Sequence, residues 1–183
     1  MNGKIKLREM TGNDCQLIST AFTAQGWDKP VEQYSGYFRE QNEGKRVVLI
    51  AEHNGEFAGY ATIVWETKYD AFRNKGIPEI KDLNVLIKHR RKGIATMLMD
   101  EAEKRISKRS KYSGLGVGLY NDYGNAQIMY VKRGYIPDGK GICYNDRELE
   151  PGQDVKLDDD LCLMMIKELQ IKFSKELILS FPT

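Results

Sequence analysis

A strand, a basic turn and a helix follow one another in residues 80–106, and this arrangement limits the fold more than any other part of the sequence. The apolar run 83–87 leads into the basic cluster 88–92, Gly93 follows, and apolar residues then recur at helical spacing at Ile94, Leu98, Ala102 and Ile106. The first turn of a helix presents unpaired backbone N–H groups and the positive end of the helix dipole. The segment therefore predicts a turn suited to bind phosphate.

Length and composition favour one ordinary globular domain. The chain has 183 residues, 41% hydrophobic and 30% charged, which suits a single domain over 1–183 with a core at about 4–169 and an extension at 170–183. A net charge of +2 does not indicate a nucleic-acid partner. No apolar run approaches the roughly 20 residues of a membrane span, and the first ten residues lack the apolar core of a signal peptide. We therefore expect a cytoplasmic protein that binds neither nucleic acid nor membrane.

The three cysteines predict neither a disulfide framework nor a metal site. Cys15, Cys143 and Cys162 are odd in number, far apart and without C-x-x-C spacing. We interpret them as buried thiols.

Hydrophobic periodicity and turn residues give the order of the elements before residue 79. Asn54-Gly55 is a strong signal for a hairpin between two apolar, β-branched runs. The predicted elements are a strand at 4–9, a helix that starts within 11–14, a helix at 30–41, strands at 46–53 and 56–68, and a loop at 69–78. Aromatic residues gather on the two helices and their connection, where they form either core or a substrate wall: Trp27, Tyr34, Tyr37 and Phe38.

The second half of the chain continues the alternation of helices and strands. After a helix to about residue 109, a glycine-rich strand at 114–120 leaves space for something to approach its backbone. A helix at 124–133 is expected to have Asp122 as its N-cap and to end at Gly134. A turn at 137–139 and strands at 142–145 and 161–169 complete the prediction.

Two motifs resemble one family. Arg90-x-x-Gly93-x-Ala95 resembles the pyrophosphate loop R/Q-x-x-G-x-G/A of the GNAT superfamily of N-acetyltransferases, whereas the Walker lysine and the three-glycine dinucleotide fingerprint are absent. Ala126-x-x-x-Tyr130-x-x-x-Gly134-Tyr135 resembles the second signature of that superfamily, A-x-x-L-Y-x-K-x-G-F. Two departures are Ala95 in place of the commoner glycine and Tyr123 in place of an asparagine that often binds the cofactor.

The resemblance implies a mixed α/β (α+β) fold. Its central sheet would have six to seven mostly antiparallel strands, about four flanking helices and a splayed parallel pair at the centre, with acyl-CoA in the gap. Here the pair would be the strand that ends near Ile87 and the strand at 114–120. A bulge near Asn84 and Val85 would turn a backbone N–H towards the thioester carbonyl, where negative charge develops.

The resemblance also implies a function. The protein would move an acetyl group from acetyl-CoA to a primary amine by direct attack in a ternary complex. Lys88 or Lys132 would reach the ribose phosphate, and no metal would be needed. The implied cofactor-binding residues are Leu83, Asn84, Val85, Leu86, Ile87, Arg90, Arg91, Lys92, Gly93, Ile94, Ala95, Thr96, Asn121, Ala126 and Tyr130.

The same resemblance assigns the catalytic roles. Tyr130 matches the position of a general acid that protonates the CoA thiolate. An amine with a pKa of about 10.4 must first lose a proton, and Glu79 matches the position of the catalytic glutamate. Asp82 is the second candidate for the base, although strand alternation puts it on the face opposite Glu79. Water chains are a further alternative.

Other functions stay open at this point. A sensor that binds acyl-CoA without chemistry would need the phosphate loop alone, and nucleic-acid binding through residues 88–92 would show steep salt dependence. A ping-pong route through Cys143 with His53 or His89 lacks an adjacent pairing in the sequence. The acceptor is a small-molecule or peptide amine without a readable code, and residues 158–160 either attract a cationic amine or form a solvated loop. The family often forms homodimers, and nothing in the sequence fixes an interface.

Overall fold

The computed structural model describes residues 3–170, which form one eight-stranded sheet with helices on both faces. The strand order is β1-β2-β3-β4-β5-β8-β6-β7, and neighbours are antiparallel except for the parallel pair β4–β5. The strands are β1 (Ile5–Glu9), β2 (Arg46–His53), β3 (Glu56–Val64), β4 (Glu79–Val85), β5 (Tyr112–Gly118), β6 (Ile136–Tyr144), β7 (Arg147–Glu148) and β8 (Leu161–Glu168). The helices are α1 (Asp14–Thr23), α2 (Val31–Asn42), α3 (Asp70–Arg73), α4 (Ile94–Ile106) and α5 (Gly124–Lys132).

The predicted fold class is confirmed, with small differences in the count of elements. The additional strand is the two-residue β7, and the additional helix is the single turn α3, which lies within the predicted loop at 69–78. The extension predicted at 170–183 lies, from residue 171 onwards, outside the described residues. No helix within residues 3–170 has both the length and the apolar character needed to cross a membrane.

The core on one face of the sheet is built on α4. Its four apolar residues at helical spacing are all buried, and they pack in one cluster with Ile80 of β4 and Leu115 of β5. Burial of each of the three larger side chains, Ile94, Leu98 and Ile106, contributes about 1.5–3 kcal/mol. The helix ends at Ile106 rather than near 109, because the next residues form hydrogen-bonded turns back to Arg105 and Ile106.

The opposite face is covered by α1 and α2. Phe22 and Tyr34 are fully buried against Tyr60 of β3, and Trp27 stacks on Phe22 with a centroid distance of 5.5 Å. The core interpretation of Tyr34 is therefore confirmed. Tyr37 is only partly buried and faces β4.

Two of the predicted turns and caps agree with the structure and two do not. Asn54 and Gly55 both have positive φ, as the predicted hairpin requires, and Gly134 ends α5 with φ +88°. The prediction of a turn at 137–139 is wrong, because these residues belong to β6. The pairing of β6 with β8 shifts register between Pro137 and Ile142, a stretch that contains Gly139 and Gly141. Asp122 is not the N-cap of α5, because it lies in a 3₁₀ turn at Asn121–Tyr123 that precedes the helix, and Tyr123 occupies the N-cap position.

Candidate active site

The two parallel strands at the centre of the sheet separate after a short contact. Only Glu79–Gly114 and Ile80–Leu115 are register partners, although β4 continues to Val85 and β5 to Gly118. The remaining residues of the two strands diverge and leave a wedge-shaped gap, which we call the splay. The predicted splayed pair is therefore confirmed, with β5 two residues earlier than expected.

A bulge interrupts β4 on its other side, where it pairs with β3. Two pairs flank it, Lys81–Thr62 and Asn84–Tyr60, so that Asp82 and Leu83 together face one residue of β3. The bulge was predicted near Asn84 and Val85, which instead are back in register with β3. Asp82 has φ +52°, a conformation that residues other than glycine rarely adopt.

Asp82 lies on the same face of the sheet as Glu79, so the prediction that it lies on the opposite face is wrong. Its carboxylate accepts a hydrogen bond of 2.5 Å from the hydroxyl of Tyr37 in α2, on the face that Glu79 and Lys81 also occupy. Simple alternation would have turned it to the other face, but the extra residue shifts the period by one. Both carboxylates of β4 therefore lie on the face covered by α2.

Glu79 lies at the start of the splay and is only 1% exposed. Its carboxylate accepts a hydrogen bond from the Thr67 hydroxyl and lies 3.4 Å from the ammonium of Lys81, which also pairs with Asp146 at 3.0 Å. Burial raises the pKa of Glu79, and Lys81 and Thr67 partly oppose that effect. Thr67, Lys81 and Asp146 could not be found from sequence alone, because they come from separate elements and match no motif.

Aromatic side chains surround the bulge. The hydroxyls of Tyr34 and Tyr60 are 3.3 Å apart, and the Asn84 amide donates to Tyr60 at 3.4 Å. Burial, and then the charge of Asp82, raises the pKa of Tyr37 well above its usual value. These phenols therefore remain protonated at neutral pH.

The turn before α4 has the geometry expected of a phosphate loop. Arg91 (φ +60°) and Gly93 (φ +83°) are left-handed, and among the described residues no side chain caps the N-terminus of α4. The backbone N–H groups of residues 94–96 therefore face an open, exposed turn. Of the predicted cationic side chains within residues 3–170, Arg91, Lys92 and Lys132 form no ion pair, whereas Lys88 pairs with Glu56 at 2.9 Å.

The segment between β4 and this turn is tied to other elements. The N–H of Leu86 donates to the carbonyl of Ala58 at 2.9 Å, and the N–H of Ile87 donates to Gln25 Oε1 at 3.0 Å. The guanidinium of Arg90 lies 5.4 Å from the ring centre of Trp27. The amides of Leu86 and Ile87 are therefore already paired, whereas Leu83, Asn84 and Val85 belong to the part of β4 that has left β5.

Tyr130 is a buried phenol on α5. It is 7% exposed and packs beside Tyr135 with a centroid distance of 6.0 Å. Burial alone raises its pKa to about 12. Ala126 lies one turn earlier on the same helix and is partly buried, whereas Asn121 is exposed and lines an open cleft of about 610 Å³ with Tyr120 and residues 156–160.

The glycines of β5 do not leave free space. A Cβ at Gly114 would meet the ring of Phe72, one at Gly116 would lie 3.0 Å from the sulfur of Met164, and one at Gly118 would meet Tyr123. The prediction that something approaches this backbone is thus confirmed, and what approaches it is the chain's own side chains. The hydroxyl of Tyr123 donates to Asp159 at 2.9 Å.

The cysteines and histidines do not form a nucleophilic pair. Cys143 and Cys162 are cross-strand partners on β6 and β8, and burial raises the pKa of Cys143 to about 12. His53 and His89 instead pack against each other with a centroid distance of 5.2 Å. Within residues 3–170 no cluster of three or more His, Cys, Asp or Glu residues is arranged to hold a metal ion.

Solved structures share this fold. An N-acetyltransferase from Staphylococcus aureus Mu50 has a TM-score of 0.68 at 17% identity, over 92% of this chain and 100% of that one. An acetyltransferase from Salmonella typhimurium, solved with its cofactor acetyl-CoA, has a TM-score of 0.63 at 18% identity, over 91% and 94%. A ribosomal-protein-alanine N-acetyltransferase from Brucella melitensis has a TM-score of 0.64 at 19% identity, over 90% and 99%.

Comparison with protein families identifies the chain. A search of curated proteins gives no match. The model of the Acetyltransferase (GNAT) family, however, matches residues 15–135, which is more than half of the sequence and includes the splay, the turn before α4 and Tyr130. The chain therefore belongs to the GNAT family and is an acyltransferase with acetyl-CoA as its cosubstrate.

Proposed function

We propose that the protein is an N-acetyltransferase that transfers the acetyl group to a primary amine by direct attack within a ternary complex. The splay carries the proposal. It leaves the end of β4 without a partner strand on the β5 side, next to Glu79 and Asp82, and residues 86–93 connect this end to the uncapped N-terminus of α4. A donor held along this end of β4 would have its reactive end beside the two carboxylates.

The residues of the loop fit the pyrophosphate of acetyl-CoA. The turn offers an anion three uncapped backbone N–H groups, and two left-handed residues bend the chain there. Arg91 and Lys92, which form no ion pair within residues 3–170, add positive charge. We assign residues 90–96 to the pyrophosphate and Leu83, Asn84 and Val85 to the pantetheine arm. Asn121, Ala126 and Tyr130 would contact the cofactor from the side of β5. Acetyl-CoA supplies an activated acetyl thioester.

Glu79 is proposed as the base for the amine. Its raised pKa brings it closer to neutral pH, where a base is most effective. Because it is buried behind Thr67 and Lys81, we propose that the proton reaches it through the Thr67 hydroxyl rather than by direct contact. Asp82 is the alternative, since it is partly exposed on the same face of the sheet.

Tyr130 is proposed as the acid. With a pKa of about 12 it keeps its proton at neutral pH and can give it to the departing sulfur. The nitrogen–carbon bond forms as the carbon–sulfur bond breaks, the amine proton goes to the base, and the phenol proton goes to the departing CoA thiolate, which leaves as the thiol.

Thiol release from acetyl-CoA tests this function. The acceptor panel should include peptide amino termini, polyamines, free amino acids and aminoglycosides. We expect intersecting initial-rate lines, as in a ternary complex. Tyr130→Phe should lower kcat about 10²–10⁴-fold without changing acetyl-CoA affinity. Tyr112→Phe, on β5, serves as the control.

Two results would count against the assignment. Full activity of Tyr130→Phe would remove the proposed acid, and parallel lines would favour a covalent route. Tight acetyl-CoA binding without thiol release for any amine would instead favour a sensor.

A further inference from the structure

The bulge of β4 presents a carboxylate in an unusual position. Lys81 and Asp82 are consecutive in sequence, yet both side chains lie on the face covered by α2. This requires the left-handed backbone of Asp82, which costs free energy in a residue other than glycine. Such a conformation persists only where surrounding contacts enforce it.

A chain of buried polar contacts enforces it here. The Thr62 hydroxyl donates to the carbonyl of Lys81 at 3.2 Å and accepts from Arg46 at 2.7 Å, and Arg46 also pairs with Glu40 at 2.6 Å. Thr62 is fully buried. The bulge is therefore a built feature of the sheet rather than a loose segment.

Asp82 retains an uncompensated negative charge. Within residues 3–170 no Lys, Arg or His forms an ion pair with it, because Lys81 pairs with Glu79 and Asp146 while Arg46 lies over the ring of Tyr37 at 4.1 Å. Tyr37 donates to Oδ2, and no described group donates to Oδ1. A partly buried carboxylate without a cation attracts one.

Neighbouring oxygens complete a set of acceptors. The Tyr37 hydroxyl donates to Asp82 and accepts from Gln33 at 2.8 Å, which leaves one lone pair. The Asn84 amide that donates to Tyr60 leaves its Oδ1 without a described donor. Asp82 and Asn84 both lie on the part of β4 that has left β5. A primary ammonium group carries three N–H donors, which matches three oxygen acceptors.

We propose that Asp82, Tyr37 and Asn84 bind the ammonium group of the acceptor, so that the substrate class is a cationic primary amine. This inference rests on the proposed amine transfer and adds the group that recognises the amine. Asp82 holds the amine at the splay in its charged form, before the proton passes to the base.

Binding of a simple ammonium ion tests the site without turnover. Wild-type protein saturated with CoA is titrated with n-propylammonium and, separately, with 1-propanol, and the ring resonances of Tyr37 and Tyr60 are followed by NMR. We expect saturable binding of propylammonium and none of propanol. Asp82→Asn should weaken propylammonium at least about tenfold, since a hydrogen bond to a charged group is lost.

The variants are chosen to preserve the bulge. Asparagine adopts positive φ readily and still accepts from Tyr37, and Asp82→Gly removes the carboxylate in a residue without steric cost at that φ. Asp100→Asn removes one charge from the exposed side of α4, on the other face of the sheet, and should bind propylammonium like the wild type.

The outcomes separate this inference from the proposed function. Equal propylammonium affinity in wild type and both Asp82 variants, or no saturable binding by the wild type, would overturn the ammonium site. If the wild-type protein binds propylammonium but acetylates no amine, the result would support the ammonium site and contradict the proposed function. Acetylation with a KM that Asp82→Asn leaves unchanged would overturn the site alone.

Discussion

The carboxylate of Glu79 contacts Thr67 and Lys81 in place of water. Its carboxylate is buried, bonded to Thr67 and 3.4 Å from Lys81, and burial is the largest cause of its raised pKa. A carboxyl whose pKa is raised by folding stabilises the folded state below its unfolded pKa of about 4.5. That contribution is lost as the pH rises through the pKa of the folded state. The residue is thus suited to proton transfer at some cost in stability at neutral pH.

Glu79→Gln tests the base through the pH dependence of kcat. If Glu79 accepts the amine proton, wild-type kcat falls as the pH decreases through the raised pKa, which lies above 4.5. In the variant, kcat should no longer fall at acidic pH, and its maximum should be about 10²–10⁴-fold lower than in the wild type. Thiol release measured from about pH 5 to about pH 9 gives both quantities.

Asp82→Asn is the matched comparison, because it removes the other carboxylate of β4. It should raise the KM of the amine and keep the fall of kcat at acidic pH. The reverse pattern, with this fall lost in Asp82→Asn and kept in Glu79→Gln, would assign the base to Asp82.

Single elements were predicted well where the signal is local. The hairpin needs only Asn54 and Gly55, the end of α5 needs only Gly134, and the buried stripe of α4 follows from its own spacing. The orientation of Asp82 could not be predicted, because the bulge depends on how β4 pairs with β3, a separate strand. Strand alternation carries no sign of such a shift.

Gly59→Ala tests how tightly β3 holds the bulge. A Cβ at Gly59 would lie 2.9 Å from the Cα of Val85 and also against the carbonyl of Asn84. Because both are backbone atoms, β4 must move, and we expect the free energy of unfolding to fall by about 1–3 kcal/mol. Acetyl-CoA affinity should fall as well, since the moved residues line the splay. Urea denaturation and calorimetric titration measure the two effects.

Gly124→Ala provides the control for the same chemical change. Gly124 lies in α5 with φ −53°, and no atom of residues 3–170 lies within 4 Å of an added Cβ. Alanine there should raise the free energy of unfolding by about 0.5–1 kcal/mol. A stable Gly59→Ala protein with unchanged affinity would show that the close approach of the strands is not required.

At the scale of the whole molecule, the splay divides the sheet and other contacts join the parts. β4 and β5 share only two register pairs, whereas Glu103 of α4 pairs with Lys167 of β8 at 2.7 Å and with Arg133 at 3.0 Å. The order of the helices and strands could be predicted from the sequence, but these two ion pairs of Glu103 could not. Lys167 is 64 residues from Glu103, and no local pattern relates them.

Acetyl-CoA bound in the splay should stabilise both halves of the sheet. At a free concentration of about 100 times its Kd it should add about 2.7 kcal/mol to the free energy of unfolding. Hydrogen exchange should slow in residues 81–85 and 116–118 as well as in 90–96, because the cofactor would contact both strands and the loop. The double variant Arg91→Glu and Gly93→Asp places negative charge at the loop and should lose both effects. Protection confined to 90–96 would mean that the loop binds phosphate while the splay holds nothing, and the proposed position of the thioester would then be wrong.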